Sequence, residues 1–317
     1  MSVLPLIRIN HLMKHFGAVE VLKGVDVNIF ENEIFGFLGT NGSGKSTTIN
    51  IMTNQITADS GTIEIAGQPT SSETNRMIGL APQEIAIYPH LSVYENLNFF
   101  AGVYGLSGGA RRRSVDQILD RLNLRTVRRK EAATLSGGWQ RRLNLAIALV
   151  HQPKIAILDE PTVGMDVEAR FQMWEAIRAL KAEDVTVILT THLMDEAETL
   201  CDRIGILHEG EIAALGTMDE LRVVVPAVEM AEVECSDMEA LKRRAEAIGL
   251  TSRVYAGRLT LLLPERFTIR DLVERLAPLE VRSVRLRNVS LSDVFLEIVS
   301  TSVSKMNQRL QKNIRHS

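Results

Sequence analysis

The stretch GTNGSGKS, residues 39–46, decides the fold of this 317-residue chain. It matches G-x-x-x-x-G-K-[ST] and lies between an apolar strand, EIFGFLG, and a helical stretch, KSTTINIMTNQI, which is the context that the pattern requires. Glycines let the backbone turn its N–H groups toward phosphate oxygens, the lysine adds positive charge, and the serine hydroxyl suits Mg²⁺. The sequence therefore predicts a nucleoside triphosphate site with Mg²⁺, and the candidate contacts are Gly39, Thr40, Asn41, Gly42, Ser43, Gly44, Lys45 and Ser46.

Three more polar residues follow buried strands further along the chain. Asp159 ends the apolar run IAIL and is expected to hold Mg²⁺ directly or through water, while the adjacent Glu160 can accept a proton from the attacking water. His192 ends the next run, VTVILTTH, and can hydrogen-bond the γ-phosphate and the water. Each also has a purely structural interpretation, because an acidic pair can cap a turn and a strand-end histidine can be part of the scaffold.

Composition narrows the class of protein. With 45% hydrophobic and 24% charged residues and a net charge of −3, the chain is typical of globular domains, and nothing in it predicts a nucleic-acid partner. Cys201 and Cys235 fit neither a zinc site nor a disulfide framework, which favours a reducing, cytosolic compartment. We expect no signal peptide and no membrane span, and therefore a protein that is soluble by itself.

The order of the segments predicts two domains. Strands and helices alternate to about residue 220, which predicts an α/β fold around a sheet with parallel strands, and residues 91–150 have helical periodicity. We therefore expect a first domain over 1–223 with a helical subdomain at about 91–150. Residues 224–300 follow the order βαββαβ, with a hairpin turn at Ala256–Gly257, which predicts a small α+β domain of the ferredoxin-like kind.

The last seventeen residues differ from the rest of the chain. Residues 301–317 contain four lysine or arginine residues and no acidic residue. A tail of this composition is typical of a disordered segment. Attraction to an anionic membrane surface is the alternative interpretation.

A second glycine-rich stretch, LSGGWQRR at residues 135–142, comes just before an apolar helix. Unpaired backbone N–H groups at such a helix start favour an anion, yet no second lysine accompanies it. Together with the loop at 39–47, Gln83 in LAPQE, IAILDEPTVGMD and TTH, this stretch resembles the ATP-binding cassette (ABC) ATPases over residues 5–220. By that resemblance the fold is a P-loop NTPase cassette, with a mixed sheet core and a helical subdomain.

The resemblance explains the second glycine-rich stretch. In ABC ATPases two cassettes pack head to tail, and the signature stretch of each faces the ATP held by the other. It implies a dimer, of two copies or with a related cassette, that closes on ATP and opens after hydrolysis. It also places Asp166 in the loop that crosses the dimer interface. The implied contacts to the partner's ATP are Leu135, Ser136, Gly137 and Gly138.

Further single residues take their roles from the same resemblance. Phe16 in KHFG falls where an aromatic ring stacks on adenine, although a place in the core is the alternative. Thr47 would reach the α-phosphate, and Gln83 would touch Mg²⁺ and the attacking water. Two positions depart from the family pattern: Trp139 stands where glutamine is usual, and Thr40 replaces a common proline.

The sequence of residues 84–102 and 191–217 resembles exporter cassettes of the drug-resistance type most closely. In that branch the ATPase and a six-helix permease are separate chains, which implies a position on the cytoplasmic face of the inner membrane and export of drugs, lipids or other hydrophobic compounds. A cassette driving a non-transport mechanical membrane complex is the alternative. The candidates for permease contact, which could instead form an ordinary packed loop, are Tyr88, Pro89, His90 and Leu91.

Overall fold

The computed structural model describes residues 4–255 and 258–300. The chain divides into two compact units, Met1–Thr217 and Met218–Ser317. The second unit begins with a short helix, Met218–Arg222, whose Arg222 Nε donates a hydrogen bond to the carbonyl oxygen of Val289 at 2.9 Å.

The core of the first unit is a six-stranded mixed sheet. Neighbouring strands run parallel except at one edge, where β9 and β10 form an antiparallel hairpin. Every residue of the two central strands, β3 (Ile34–Leu38) and β8 (Thr186–Thr191), is buried, which explains the apolar sequence of β3 and the apolar centre of β8. In spatial order the strands are β10 (Glu211–Gly216), β9 (Arg203–His208), β3 (Ile34–Leu38), β8 (Thr186–Thr191), β7 (Ile155–Asp159) and β6 (Ile78–Ala81).

A second, antiparallel sheet belongs to the same unit. Its inward residues, among them Ile7, Leu12 and Val25, join the buried face of the six-stranded sheet in one apolar cluster. In spatial order its strands are β2 (Val19–Ile29), β1 (Ile7–Phe16), β4 (Ser60–Ile65) and β5 (Gln68–Pro69).

Helices cover the other face of the mixed sheet. Three of them form the segment that the sequence predicts to be helical, and their apolar residues, such as Leu97, Val115 and Leu143, pack into a second cluster with the sheet. This arrangement brings the helix that begins in LSGG against the strands that carry the polar candidates. In chain order the helices on this face are α2 (Val93–Val103), α3 (Gly108–Arg121), α4 (Gly137–Leu149), α5 (Val167–Ala182) and α6 (Met194–Leu200). Helix α1 (Lys45–Met52) lies on the opposite face, where its Ile49 and Met52 belong to the cluster between the two sheets.

The second unit contains an antiparallel sheet with the spatial order β12 (Thr251–Tyr255), β13 (Arg258–Leu263), β11 (Glu229–Cys235) and β14 (Val281–Asn288). After the initial helix α7 (Met218–Arg222), its elements follow the predicted order βαββαβ, and residues 291–300 are helical. The predicted turn at Ala256–Gly257 and the tail 301–317 lie outside the described residues. The remaining elements are the helices α8 (Met238–Ala247) and α9 (Ile269–Leu276).

Within residues 4–255 and 258–300, no helix is long and apolar enough to cross a bilayer.

Candidate nucleotide-binding site

The loop between β3 and α1 forms a cradle that only glycine permits at two positions. A Cβ atom on Gly39 would lie 2.4 Å from the carbonyl oxygen of Leu207 and 2.5 Å from Ser43 Oγ. Gly44 precedes α1 with a φ of 110°, a conformation that side chains rarely allow, and no side chain caps the helix. The first N–H groups of α1 therefore remain available to an anion.

Two side chains of this loop fit a phosphate. Lys45 is buried, and its Nζ donates hydrogen bonds to the carbonyl oxygens of Gly39 at 2.8 Å and Thr40 at 3.1 Å. Burial lowers the pKa of Lys45, whereas the charges of Glu160 and Asp159 raise it. Ser43 Oγ is buried and has no hydrogen-bond partner among the described residues, which a phosphate oxygen would supply.

Asp159 and Ser46 offer the oxygen ligands that Mg²⁺ prefers. Asp159 Oδ2 lies 3.5 Å from Ser46 Oγ, and the hydroxyl of Thr190 donates to the other carboxylate oxygen. One carboxylate and one hydroxyl at the end of parallel strands form a donor set that fits Mg²⁺ beside a phosphate chain. The pairing of β7 with β8 brings Thr190 opposite Asp159, 31 residues apart in sequence.

Glu160 is the centre of the polar cluster and is almost fully buried. Gln83 Nε2 donates to its Oε2 at 3.0 Å, His192 Nδ1 lies 3.0 Å from its Oε1, and Lys45 Nζ lies 3.9 Å from the same oxygen. The structure thus brings together four residues that the sequence marked separately. A carboxylate held in this way can accept a proton from a water placed next to it.

The backbone at Glu160 is strained. Its φ of 49° lies in the left-handed region, which costs a residue other than glycine about 1–3 kcal/mol. The N–H of Glu160 donates to the carbonyl oxygen of Thr190 at 3.1 Å, which helps to keep the turn in this conformation. Such strain persists only where the surroundings fix the backbone, and it is frequent at functional sites.

Gln83 is held by the helix that begins in LSGG. Asn144 of α4 donates to the carbonyl oxygen of Pro82 at 3.0 Å and accepts from the N–H of Ala86 at 3.1 Å, and Arg141 donates to the carbonyl oxygen of Gln83. The sequence alone predicts no functional role for either of these two residues or for Thr190. A polar Asn144 within the apolar run LNLAIALV was the available signal.

The signature stretch has the open helix start that its sequence predicts. Ser136 is the N-cap of α4, and its side chain makes no capping hydrogen bond, so the N–H groups of Gly137 and Gly138 can receive a ligand. Beside it lies a cavity of ≈ 280 Å³. Residues of α4, including Trp139, and of the start of α5 line this cavity, and none of loop 39–47 does. Leu135 is buried and packs in the core.

Trp139 and Asp166 both have structural contacts next to that cavity. The guanidinium of Arg142 lies 4.8 Å from the centre of the Trp139 ring, a cation–π contact that keeps the indole against α4. Asp166 is the N-cap of α5 and accepts a hydrogen bond from the N–H of Ala169 at 2.8 Å. Neither contact blocks the signature N–H groups.

Phe16 lies at the end of β1 and is 51% exposed, which excludes the core position that was its alternative. Lys14 Nζ lies 5.5 Å from the ring centre. The ring is thus accessible to a base. Thr47 is half-buried in the first turn of α1, whereas Asn41 and Gly42 are exposed at the tip of the loop.

The loop before α2 presents aromatic and polar groups. The ring centre of Tyr88 lies 4.9 Å from that of Phe99, and both residues are more than two-fifths exposed. His90 is exposed and its Nδ1 lies 3.0 Å from Glu131 Oε1, while Pro89 and Leu91 accept hydrogen bonds from the backbone at residues 132–133. The loop is therefore well ordered by hydrogen bonds and still has an accessible surface.

Comparisons with known proteins agree with this geometry. A protein-family model described as "ABC transporter" matches residues 22–163. The Nod factor export ATP-binding protein I of Ralstonia nicotianae is 33% identical over 304 residues, which cover 93% of this chain and 94% of that protein. The chain belongs to the ABC transporter family. The linearmycin resistance ATP-binding protein LnrL of Bacillus subtilis is 40% identical to this ABC protein over 219 residues, 68% of this chain and 70% of LnrL.

Solved structures extend the comparison to the fold. CbiO1 of Clostridium perfringens, part of the ABC transporter complex cbiONQ, matches with a TM-score of 0.63 and 28% identity over 67% of this chain and 88% of CbiO1. The ABC cassette MJ0796 in a dimeric post-hydrolysis state with ADP and Pi matches with a TM-score of 0.60 and 27% identity over 67% and 98% of the two chains. This chain is an ABC ATPase, an enzyme that uses ATP and Mg²⁺.

Proposed function

We propose that this protein is the ATP-hydrolysing subunit of an exporter for drugs, lipids or other hydrophobic compounds, and that it drives a separate membrane permease. The observation that carries the hydrolytic part is the cluster at Glu160, where Gln83, His192 and Lys45 meet one buried carboxylate. The export part is supported by relatives that are named for resistance or export along most of this chain.

In this proposal the residues of the site have distinct tasks. The glycine-rich loop and Lys45 bind the phosphates, and Thr47 reaches the α-phosphate. Glu160 accepts the proton of the attacking water, while Gln83 and His192 keep its carboxylate and that water in place. Mg²⁺, when bound by Ser46, Gln83 and Asp159, would neutralise charge on the phosphate oxygens.

The active unit in this proposal is a head-to-tail dimer, of two copies or with a related cassette. Ser136 and Gly138 of one subunit would bind the γ-phosphate of the partner's ATP. The open start of α4 and a neighbouring cavity without residues of loop 39–47 support this assignment. Asp166, which caps α5 beside the cavity, would link the two sites across the interface.

The permease contact is proposed for Tyr88, Pro89, His90 and Leu91. This loop is accessible, and it lies next to the Gln83 segment in the chain, so that a partner's movement there would reach the site through few residues. The protein would then work on the cytoplasmic face of the inner membrane. The second unit and the tail 301–317 have no assigned role in this proposal.

The test of the hydrolytic part is Glu160→Gln, which keeps the shape of the side chain but removes the base. We expect turnover to fall at least about a hundredfold while ATP binding is retained, because general-base catalysis typically contributes that much. With Mg-ATP the variant should elute as a stable dimer from size-exclusion chromatography, since closure persists without hydrolysis. Glu33→Gln, the same change at a buried glutamate at the amino end of β3, should behave as wild type.

If Glu160→Gln hydrolyses ATP at the wild-type rate, Glu160 is not the general base. If the variant stays a monomer in the presence of Mg-ATP, the proposed dimer is wrong. The permease part is tested separately, by purifying tagged protein from its native membranes in mild detergent. We expect a stoichiometric six-helix membrane protein to accompany it, and a Tyr88→Ala, His90→Ala variant to lose that protein while keeping ATP binding. If only soluble proteins copurify, the transport proposal is wrong, but the proposed roles of the residues in ATP hydrolysis are unaffected.

A further inference from the structure

Glu196 of α6 is another buried glutamate of the first unit and is fully inaccessible to solvent. It is separate from the polar cluster around Glu160. Its Oε1 accepts two hydrogen bonds, from the hydroxyl of Thr162 at 2.6 Å and from the indole N–H of Trp174 at 3.1 Å. All three side chains are buried and belong to different parts of the chain. A buried charged group is costly, so a carboxylate at this place needs a reason beyond filling space.

Glu196 and its partner Thr162 belong to the two segments that carry reacting side chains. Thr162 comes two residues after Glu160, in the turn that follows β7. Glu196 itself lies in α6 only four residues after His192, which directly follows β8. Glu196 therefore joins the turn of the carboxylate to the strand end of the histidine, and Trp174 fixes both to α5.

The turn after β7 needs such an anchor because its backbone is strained. Glu160 has a φ of 49°. The backbone of the turn is tied to neighbouring elements by the Glu160 N–H, by the Thr162 hydroxyl and by Arg141, which donates to the carbonyl oxygen of Val163 at 3.5 Å. A small shift of this turn would move the Glu160 carboxylate away from Gln83 and His192, which now lie 3.0 Å from it. Misplacement of about 1 Å can cost a hundredfold in rate.

We propose that Glu196 is a positioning residue for ATP hydrolysis. Its carboxylate ties Thr162, two residues after Glu160, to helix α6, which begins two residues after His192, and so keeps Glu160 and His192 at their working separation. It touches neither nucleotide nor water, and it acts only through these two residues. This inference rests on the proposed roles of Glu160 and His192.

The experiment measures kcat, KM and the Kd for ATP of the full chain in matched variants. Thr162→Val keeps the shape but removes the donor, and Glu196→Ala removes the acceptor. We expect both to lower kcat about tenfold or more while the Kd for ATP stays within about threefold, because the phosphate loop is untouched. Glu196→Gln and Thr162→Ser keep the hydrogen bond between the two positions and should restore most of the rate.

The control is Glu33→Ala, which removes another buried carboxylate, one that accepts from Phe30 N–H at 2.8 Å and pairs with Arg203 at 3.2 Å. It should lower the melting temperature and leave kcat per folded molecule unchanged. Equal loss of kcat in Glu33→Ala, or an unchanged kcat in Thr162→Val, overturns the inference. If Glu196→Ala does not fold, the kcat of Thr162→Val alone tests the role of Glu196.

Glu160→Gln, measured alongside, distinguishes a failure of the proposed catalytic site from a failure of the proposed role of Glu196. If it retains wild-type turnover, the proposed function of the site is wrong. If it loses turnover while Thr162→Val does not, the site stands and the role of Glu196 is wrong.

Discussion

Phe16, at the end of β1, has an aromatic side chain that is 51% exposed to solvent. If the ring stacks on adenine, Phe16→Ala should raise the Kd for ATP about fivefold, which corresponds to about 1 kcal/mol of stacking. Phe16→Tyr keeps the ring and should bind as wild type. Isothermal titration with ATP measures both, and an unchanged Kd in Phe16→Ala would exclude the stacking role.

Glu196 also makes the stability of the protein depend on pH. Burial raises the pKa of its carboxyl, the hydrogen bonds from Thr162 and Trp174 offset this only partly, and the charge of Asp195 raises the pKa further. The folded state therefore holds the proton more tightly than the unfolded chain, whose carboxyl has the ordinary value near 4.5. The resulting stability is complete below that value and is lost as pH rises through the folded-state pKa.

Glu196→Gln removes this titration. We expect the melting temperature of the wild type, measured relative to Glu196→Gln from pH 4.5 to pH 8, to fall as the pH rises, because only the wild type must bury a charge. The comparison cancels the other titrating groups, which both proteins share. A constant difference across this range would show that burial does not raise the pKa of Glu196.

The functional roles of Lys45, Asp159 and Glu160 could be predicted from the sequence, because each residue has a fixed position relative to a glycine-rich loop or a buried strand. The roles of Thr190 and Glu196 could not be predicted in this way, since their partners lie about thirty residues away in sequence and meet only when β7, β8 and α6 assemble. A local pattern contains no information about such distant hydrogen bonds. The same limit applied to Asn144, whose two partners precede it by about sixty residues.

Helix α4 connects the signature stretch to the Gln83 segment through two side chains, Arg141 and Asn144. The amide of Asn144 bonds the backbone on both sides of Gln83, at Pro82 and at Ala86. We predict that Asn144→Ala lowers kcat more than it weakens ATP binding, because it frees the Gln83 segment and leaves the phosphate loop intact. Each unpaired backbone group should also cost about 1–3 kcal/mol of stability.

Gln140→Ala is the matched control for Asn144→Ala. Gln140 lies on the same helix, and its amide bonds the carbonyl oxygen of Ala132 at 3.0 Å, away from Gln83. Steady-state kinetics and ATP titration should separate the two variants. If both lose kcat to the same extent, a general loosening of α4 is the cause and the specific connection to Gln83 is wrong.

Whole elements were more predictable than their hydrogen-bond partners. The apolar runs of β3, β7 and β8 and the 3.6-residue spacing in α2, α3 and α4 identified strands and helices directly. Strand β6 was missed, because its four residues, Ile78–Ala81, are too few to have a period and pair only with β7 at the edge of the sheet. Its position depends on a partner strand about 75 residues away, and no local signal encodes that.

Every candidate residue of the site belongs to the first unit of the molecule, from Phe16 to His192. The alignment with LnrL covers 219 residues, about the length of this unit, whereas the Nod factor export protein aligns over 304. The first unit also has its own apolar clusters on both faces of the mixed sheet. A part of a chain with its own core is expected to fold independently.

We therefore predict that residues 1–217 alone form a folded protein that binds ATP with a Kd within about threefold of the full chain, because the unit contains its own core and the whole phosphate loop. Circular dichroism and ATP titration of the two proteins test this. Residues 1–217 with Glu160→Gln serve as the control, since any hydrolysis by the truncated protein must disappear in it. A folded fragment whose ATP affinity falls more than about tenfold would show that the second unit contributes to nucleotide binding, in contradiction to a site confined to the first.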